Sequence, residues 1–299
     1  MFKAVYGAAD FDHNRYLFRK LRENLQREVK SYVLVPEQFS VFTERKVMED
    51  LGAKAQSLIE VLTFSRLSNL VMSELGPLRL RYIDGASREI LGARAMQLIE
   101  NKLEYFKPNV HQKGFPHLLV ELTSEFKRYG HLPEALTAAS EEVDEEELSR
   151  KLRDLALFYE TYNGLIEKSG SDAEDNLSII LPKIKDFPTD KNSRLYIAEF
   201  RSFTPLEYRV LTELMHKAHE TELILCCDSI KAPTDPFVTA AAACRALYRS
   251  AQDAGVETAP PESPCCPKER QWDIAHTLNN YFKIKWEKTD KAPTGDRKS

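Results

Sequence analysis

The sequence predicts an α/β fold, a parallel sheet buried on both faces and interrupted by a large helical insertion. Three observations carry that reading. Short, continuously apolar runs stand at residues 2–6, 32–35, 195–197 and 223–227, and strands that are apolar throughout and separated by helical stretches belong to parallel sheets covered on both sides. Leu148, Leu152, Leu155, Tyr159, Tyr162 and Ile166 recur at three- and four-residue spacing, which makes one apolar helical face that packs into a core. The whole stretch between the second and third runs is helical in pattern and reads as a subdomain of its own.

The elements follow in order. Residues 2–6 form a strand that runs into Gly7, and a helix-like run begins near Tyr16. Residues 32–35 form a second strand, ended by Pro36. A further apolar run, Val61-Leu62, leads into the polar segment Thr63-Phe64-Ser65-Arg66-Leu67-Ser68. Helices are expected over residues 86–103 and 118–129, and from Leu148 onward. The acidic run at 141–147 precedes the Leu148 helix, where negative charge suits the positive end of the helix dipole, so it reads as a solvated helix start and not a metal site. Strands at 195–197 and 223–227 return the chain to the sheet; a proline-rich loop begins at Ala259 and the end is polar. The expected organisation is therefore 1–75 as the first part of the α/β domain, 76–187 as the helical insertion, 188–286 as the return and 287–299 as a polar tail.

With 42% hydrophobic and 29% charged residues, 299 residues can bury a sizeable core as one large or two moderate domains. The net charge of −4 supplies no global reason to bind nucleic acid, so any such contact must be a local patch. Cysteines at 226, 227, 244, 265 and 266 lack the spacing by which one turn chelates a metal, and reduced thiols are expected. The start has no basic segment followed by an apolar one, and no run approaches the length of a membrane span. A cytoplasmic protein without membrane contact is expected.

Few constellations could carry chemistry. His216 and His219, three apart near Glu220 and Glu222, have no third ligand placed by the sequence, and no metal is expected. No serine or cysteine sits in a nucleophile setting, so no catalytic residue is assigned. The turn after the first strand is more informative. A phosphate loop places a second glycine, a lysine and a hydroxyl residue at fixed steps from the first glycine. From Gly7 those steps fall on Asp12, His13 and Asn14, with Asp10 adding a further negative charge. On spacing alone this is either a chance strand–turn–helix or a decayed phosphate loop. At other strand ends, where open α/β sheets bind their ligands, Gln38, Ser40, Phe64 and Arg66 suit single-stranded nucleic acid, the ring for a base and the arginine for phosphate. The alternative is a core Phe64 and a surface Arg66.

The segments VPEQFSVFTE, VLTFSRLSNLV, GFPHLLVELTSEFKRYG, LSRKLRDLALFYETY and FRSFTPLEYRVLTELM resemble, in the same order, those of the AddB subunits of bacterial AddAB helicase–nucleases. The resemblance implies a superfamily 1 helicase-like, RecA-like P-loop fold and a role in repairing double-strand breaks by recombination. It implies DNA-binding positions at Glu37, Gln38, Ser40, Phe64 and Arg66, with Phe203 a further candidate. The resemblance also implies that these positions take part in recognising a recombination hotspot; Ser40 stands where threonine is usual, and Asn69 where the family can carry an aromatic ring, so one stacking platform for that recognition is missing here. It also implies an AddA-type motor subunit and single- or double-stranded DNA as partners.

Set against the family, the turn at Gly7 reads as a decayed phosphate loop. The family's later Asp-Gly-Phe is Ala198-Glu199-Phe200 here, which removes a magnesium-directed carboxylate. The degenerate nucleotide site thus comprises Gly7, Asp12, His13, Asn14 and Ala198. ATP and magnesium belong to the family's loop, and its iron–sulfur cluster to a C-terminal nuclease that this sequence does not include, so no cofactor is expected; the sequence reads as a fragment, an engineered domain or a truncated product. The expectation is a DNA-holding, non-catalytic portion of the AddB protein. The alternatives are a scaffold that docks AddA without DNA affinity and, third, an active P-loop ATPase.

Overall fold

The structure, a computed structural model, describes residues 1–8, 11–75, 83–170 and 176–264. Asp10, Cys265, Cys266 and the polar tail lie outside them. The chain divides into two compact units, one made of Met1–Asn69, Ile184–Phe203 and the described residues from Glu207 on, the other of Leu70–Lys183 with Thr204–Leu206.

The first unit is the α/β unit. Its strands are β1 (Phe2–Gly7), β2 (Ser31–Leu34), β3 (Ile59–Leu62), β4 (Arg194–Ala198) and β5 (Glu220–Cys226), joined in the order β1-β5-β4-β2-β3. Every pairing is parallel, with Ala4 beside Leu223, Ile197 beside Leu223, and Val33 between Tyr196 and Val61. Four of these strands lie on the predicted apolar runs. The fifth, β3, does not stand out in the sequence because Glu60, half-exposed and ion-paired to Lys30 at 3.1 Å, interrupts its apolar run.

Alternate residues of each strand serve opposite faces. Val5, Val33, Val61, Tyr196 and Ile224 pack with Leu17 and Leu21 of α1 (His13–Gln26) and Val47 of α2 (Glu37–Leu51). Leu34, Leu62 and Leu195 face Leu67 of α3 (Phe64–Leu75). The outer side of β1 is covered as well: the Phe2 amide donates to the Glu257 carbonyl at 2.7 Å and the Glu262 amide to the Ala4 carbonyl at 2.8 Å. An edge so paired offers no template to another chain.

The second unit is helical, with α4 (Gly85–Ile99), α5 (Phe115–Tyr129), α6 (Pro133–Glu142), α7 (Glu146–Ser169) and α8 (Asn176–Ile180). Leu155, Tyr159, Tyr162 and Ile166 of the α7 stripe are buried and Leu152 partly so. Leu148 is exposed: it sits in the first turn, before the helix reaches the core. Buried Asp154, on the same helix, accepts the backbone amides of Glu104, Tyr105 and Phe106 at 2.8–3.2 Å, which holds the chain beyond α4. Gly92 lets α5 approach closely, since a Cβ there would lie 2.4 Å from a Val120 methyl. From Glu207 on, α9 (Pro205–Lys217) and then α10 (Val238–Asp253) complete the α/β unit; Leu214 of α9 lines a small cavity with Leu34 and Leu62, and the Tyr248 hydroxyl of α10 accepts the Ala4 amide at 2.9 Å.

Candidate nucleotide and nucleic-acid cleft

Because all the strands are parallel, Gly7, Leu34, Leu62, Ala198 and Cys226 end along one edge of the sheet, where ligands of open α/β folds sit. A cleft of 1180 Å³ opens there. Asp12, His13 and Asn14 line it from the turn after β1; Gln38 and Phe39 from that after β2; residues 198–202 from that after β4; and Cys226, Phe237 and Thr239 complete it.

The turn after β1 is filled by its own side chains. The Asp12 carboxylate caps α1, accepting the Arg15 amide at 2.9 Å. It thereby sets a negative charge at the helix N-terminus, the place where a phosphate would meet backbone N–H groups. His13 Nε2 lies 3.1 Å from the carbonyl oxygens of both Gly7 and Leu225. Both are acceptors, so Nε2 carries the proton and is shared between β1 and β5. The Phe11 ring meets His13 edge-on at 4.7 Å, and a Cβ on Gly7 would come within 2.3 Å of the Phe11 Cβ. Glycine is therefore required at position 7 for packing against Phe11. These residues do not fit a triphosphate: a carboxylate holds the anion position, and the ring in the lysine position is bound to backbone.

Beneath this turn, buried Glu222 of β5 accepts the Tyr16 hydroxyl at 2.9 Å and pairs with Lys3 at 3.4 Å and Lys20 at 3.6 Å. Burial, and then the Glu222 carboxylate, push the Tyr16 hydroxyl well above the usual phenol range. Burial opposes the charge of Lys3, but Glu222 and Glu220 outweigh it and raise its pKa. A carboxylate and two ammonium groups thus hold α1 on the sheet. Cysteines 226, 227 and 244 form no disulfide among the described residues; burial first, then Cys227, push the Cys244 thiol up to about 12.

After β4, Ala198 is buried and offers no carboxylate. Glu199 has φ +66°, the left-handed region that disfavours side chains with a Cβ. From it the chain presents Phe200, whose ring lies 5.7 Å from Phe64 and 4.9 Å from Phe203; Phe203 in turn meets Tyr208 at 5.4 Å.

The other expected site residues are placed as follows. Glu37 and Gln38 are exposed in the first turn of α2. Ser40 is buried and its hydroxyl donates to the Glu37 carbonyl at 2.9 Å, a bond within the helix. Phe64 and Arg66 open α3, where the Thr63 hydroxyl accepts the Arg66 amide at 3.2 Å. The Arg66 guanidinium is ion-paired with Glu44 and lies 3.4 Å from the Val61 carbonyl. Phe64 and Phe203 meet through Phe200; Ser40 and Arg66 direct their polar groups to protein partners. The sequence alone does not single out Phe200 and Arg201, although the departure from Asp-Gly-Phe marks their neighbours. His219 lies beyond the end of α9 and its amide donates to the Ser193 carbonyl at 2.9 Å, so it does not share a helix with His216. Among the described residues no cluster could hold a metal ion, and no helix is long and apolar enough to cross a membrane.

A five-stranded parallel sheet with a helical insertion between its third and fourth strands defines a RecA-like α/β fold. The family model described as ADDB, N-terminal matches residues 4–278, and the chain belongs to that family. It is 33% identical over 231 residues to an ATP-dependent helicase/deoxyribonuclease subunit of Clostridium tetani, covering 75% of this chain and 20% of the relative. It is 30% identical over 228 residues to the protein of the same name in Clostridium kluyveri, covering 76% and 20%. With the Clostridium botulinum (strain Loch Maree) protein the identity is 27% over 289 residues, covering 93% of this chain and 25% of the relative. The chain thus spans a quarter or less of the length of these relatives.

Proposed function

We propose that this chain is the DNA-holding, non-hydrolysing helicase-like portion of an AddB-type protein, binding single-stranded DNA in the cytoplasm and supporting an AddA-type motor in the repair of double-strand breaks by recombination. The observation that carries the reading is the self-filled turn beside an open cleft: the Asp12 carboxylate caps the start of α1 and His13 is held by two backbone carbonyls, while Gln38, Phe39 and Phe200 line space at the strand ends. A motor site so filled neither binds nor hydrolyses ATP, and needs neither magnesium nor another cofactor in this chain. The names of the relatives, subunits of a helicase/deoxyribonuclease, agree with a protein that works beside a catalytic partner.

In this reading Phe64 and Phe203 belong to an aromatic platform for bases, and Glu37 and Gln38 offer polar groups to base edges or sugar. Ser40 and Arg66 shape the strand ends through the helix bond and the ion pair described above. A stacked base contributes about 1–3 kcal/mol, and Phe64→Ala, which withdraws the ring packed against Phe200, weakens oligothymidylate binding by up to about that amount in a fluorescence-anisotropy titration. An unchanged, salt-dependent isotherm for the variant would contradict the assignment. The net charge of −4 favours a second reading, docking of the motor protein without DNA affinity; capture of an AddA-type motor by a chain that gives no oligonucleotide isotherm would establish it instead.

A further inference from the structure

We infer that Phe200 and Arg201, in the turn leaving β4, are the base platform and the phosphate contact of the cleft. The inference rests on the DNA-holding reading and names the residues that perform it. Phe200 is the ring that Phe64 and Phe203 share, and, unlike either of them, it lines the cleft. It is partly exposed, so one face is available to a base while its neighbours hold its orientation. Arg201, next in sequence, also lines the cleft and is exposed. Among the described residues it has no ion-pair partner, whereas the Arg66 guanidinium is neutralised by Glu44. A guanidinium without a counter-charge displaces the cations condensed on a nucleic-acid phosphate, which a neutralised one does far less.

The left-handed Glu199 is the device that makes this arrangement. It turns the backbone sharply after the buried Ala198, so that a ring and a charge emerge side by side at the sheet edge. Alternating base stacking and phosphate neutralisation is what a single strand requires and a free phosphate does not.

The test is a salt titration of the whole chain with oligothymidylate carrying one 2-aminopurine, whose fluorescence is quenched by stacking. Arg201→Gln lowers the slope of log affinity against log salt by about 0.7, the value of one single-strand phosphate contact. Phe200→Leu keeps the apolar volume, weakens binding about fivefold or more and alters the quenching, and Phe200→Tyr restores both. Arg45→Gln, which removes an exposed charge outside the cleft lining, leaves the slope unchanged. Because Arg201 is exposed, its variant folds and decides the question even if Phe200→Leu does not. An unchanged slope for Arg201→Gln together with unchanged quenching for a folded Phe200→Leu would overturn the inference and leave the DNA-holding reading standing. Failure of the unaltered chain to bind would overturn both.

Discussion

The turn after β1 closes on itself, with Asp12 capping α1 and His13 held between two carbonyls, whereas the turn after β4, leaving the same sheet edge, keeps Glu199 left-handed and presents Phe200 and Arg201 to the cleft. The first turn satisfies its own polar groups, which stabilises it. The second retains backbone strain, which persists only where the surrounding structure enforces it and which clusters at ligand sites. One sheet edge can therefore be closed by its own side chains at one turn and stay open at another. Local hydrogen bonding, not the sheet order, decides which.

Removing the cap tests the closed side. Asp12→Ala leaves the Arg15 amide without its side-chain acceptor and lowers stability by about 1 kcal/mol, as loss of an N-cap does. Urea unfolding measures it, and a midpoint unchanged by the substitution would show that the carboxylate contributes nothing there. The open side has the smaller effect and the opposite sign. Glu199→Gly relieves a left-handed conformation worth about 1–2 kcal/mol for a residue with a Cβ, offset by the greater freedom of glycine in the unfolded chain, for a net gain of about 0.5–1 kcal/mol. A fall in melting temperature would mean that the Glu199 side chain stabilises the turn by more than its backbone strains it.

The sheet is legible in the sequence because strands buried on both faces leave continuous apolar runs, and β3 escapes because Glu60 interrupts one. The helical stripe of α7 is legible from its period, but no period reports that Leu148 lies one turn short of the core. At the site, the spacing from Gly7 sets Asp12, His13 and Asn14 at the steps a phosphate loop would use. It does not reveal that His13 bonds Leu225, 212 residues away in sequence. The meeting of Phe64 with Phe200 follows from the sheet order, in which β2 alone separates β3 from β4, and no local pattern records that. Arg66 reads as a free cation until α2 brings Glu44 against it.

Closure of the phosphate turn beside an open cleft is measured most directly by isothermal calorimetry on the 299-residue chain, titrated first with ATP and magnesium and then, in the same cell, with oligothymidylate. The predicted result is no binding heat from the nucleotide and a salt-dependent isotherm from the oligonucleotide. Tight, magnesium-dependent ATP binding would contradict it.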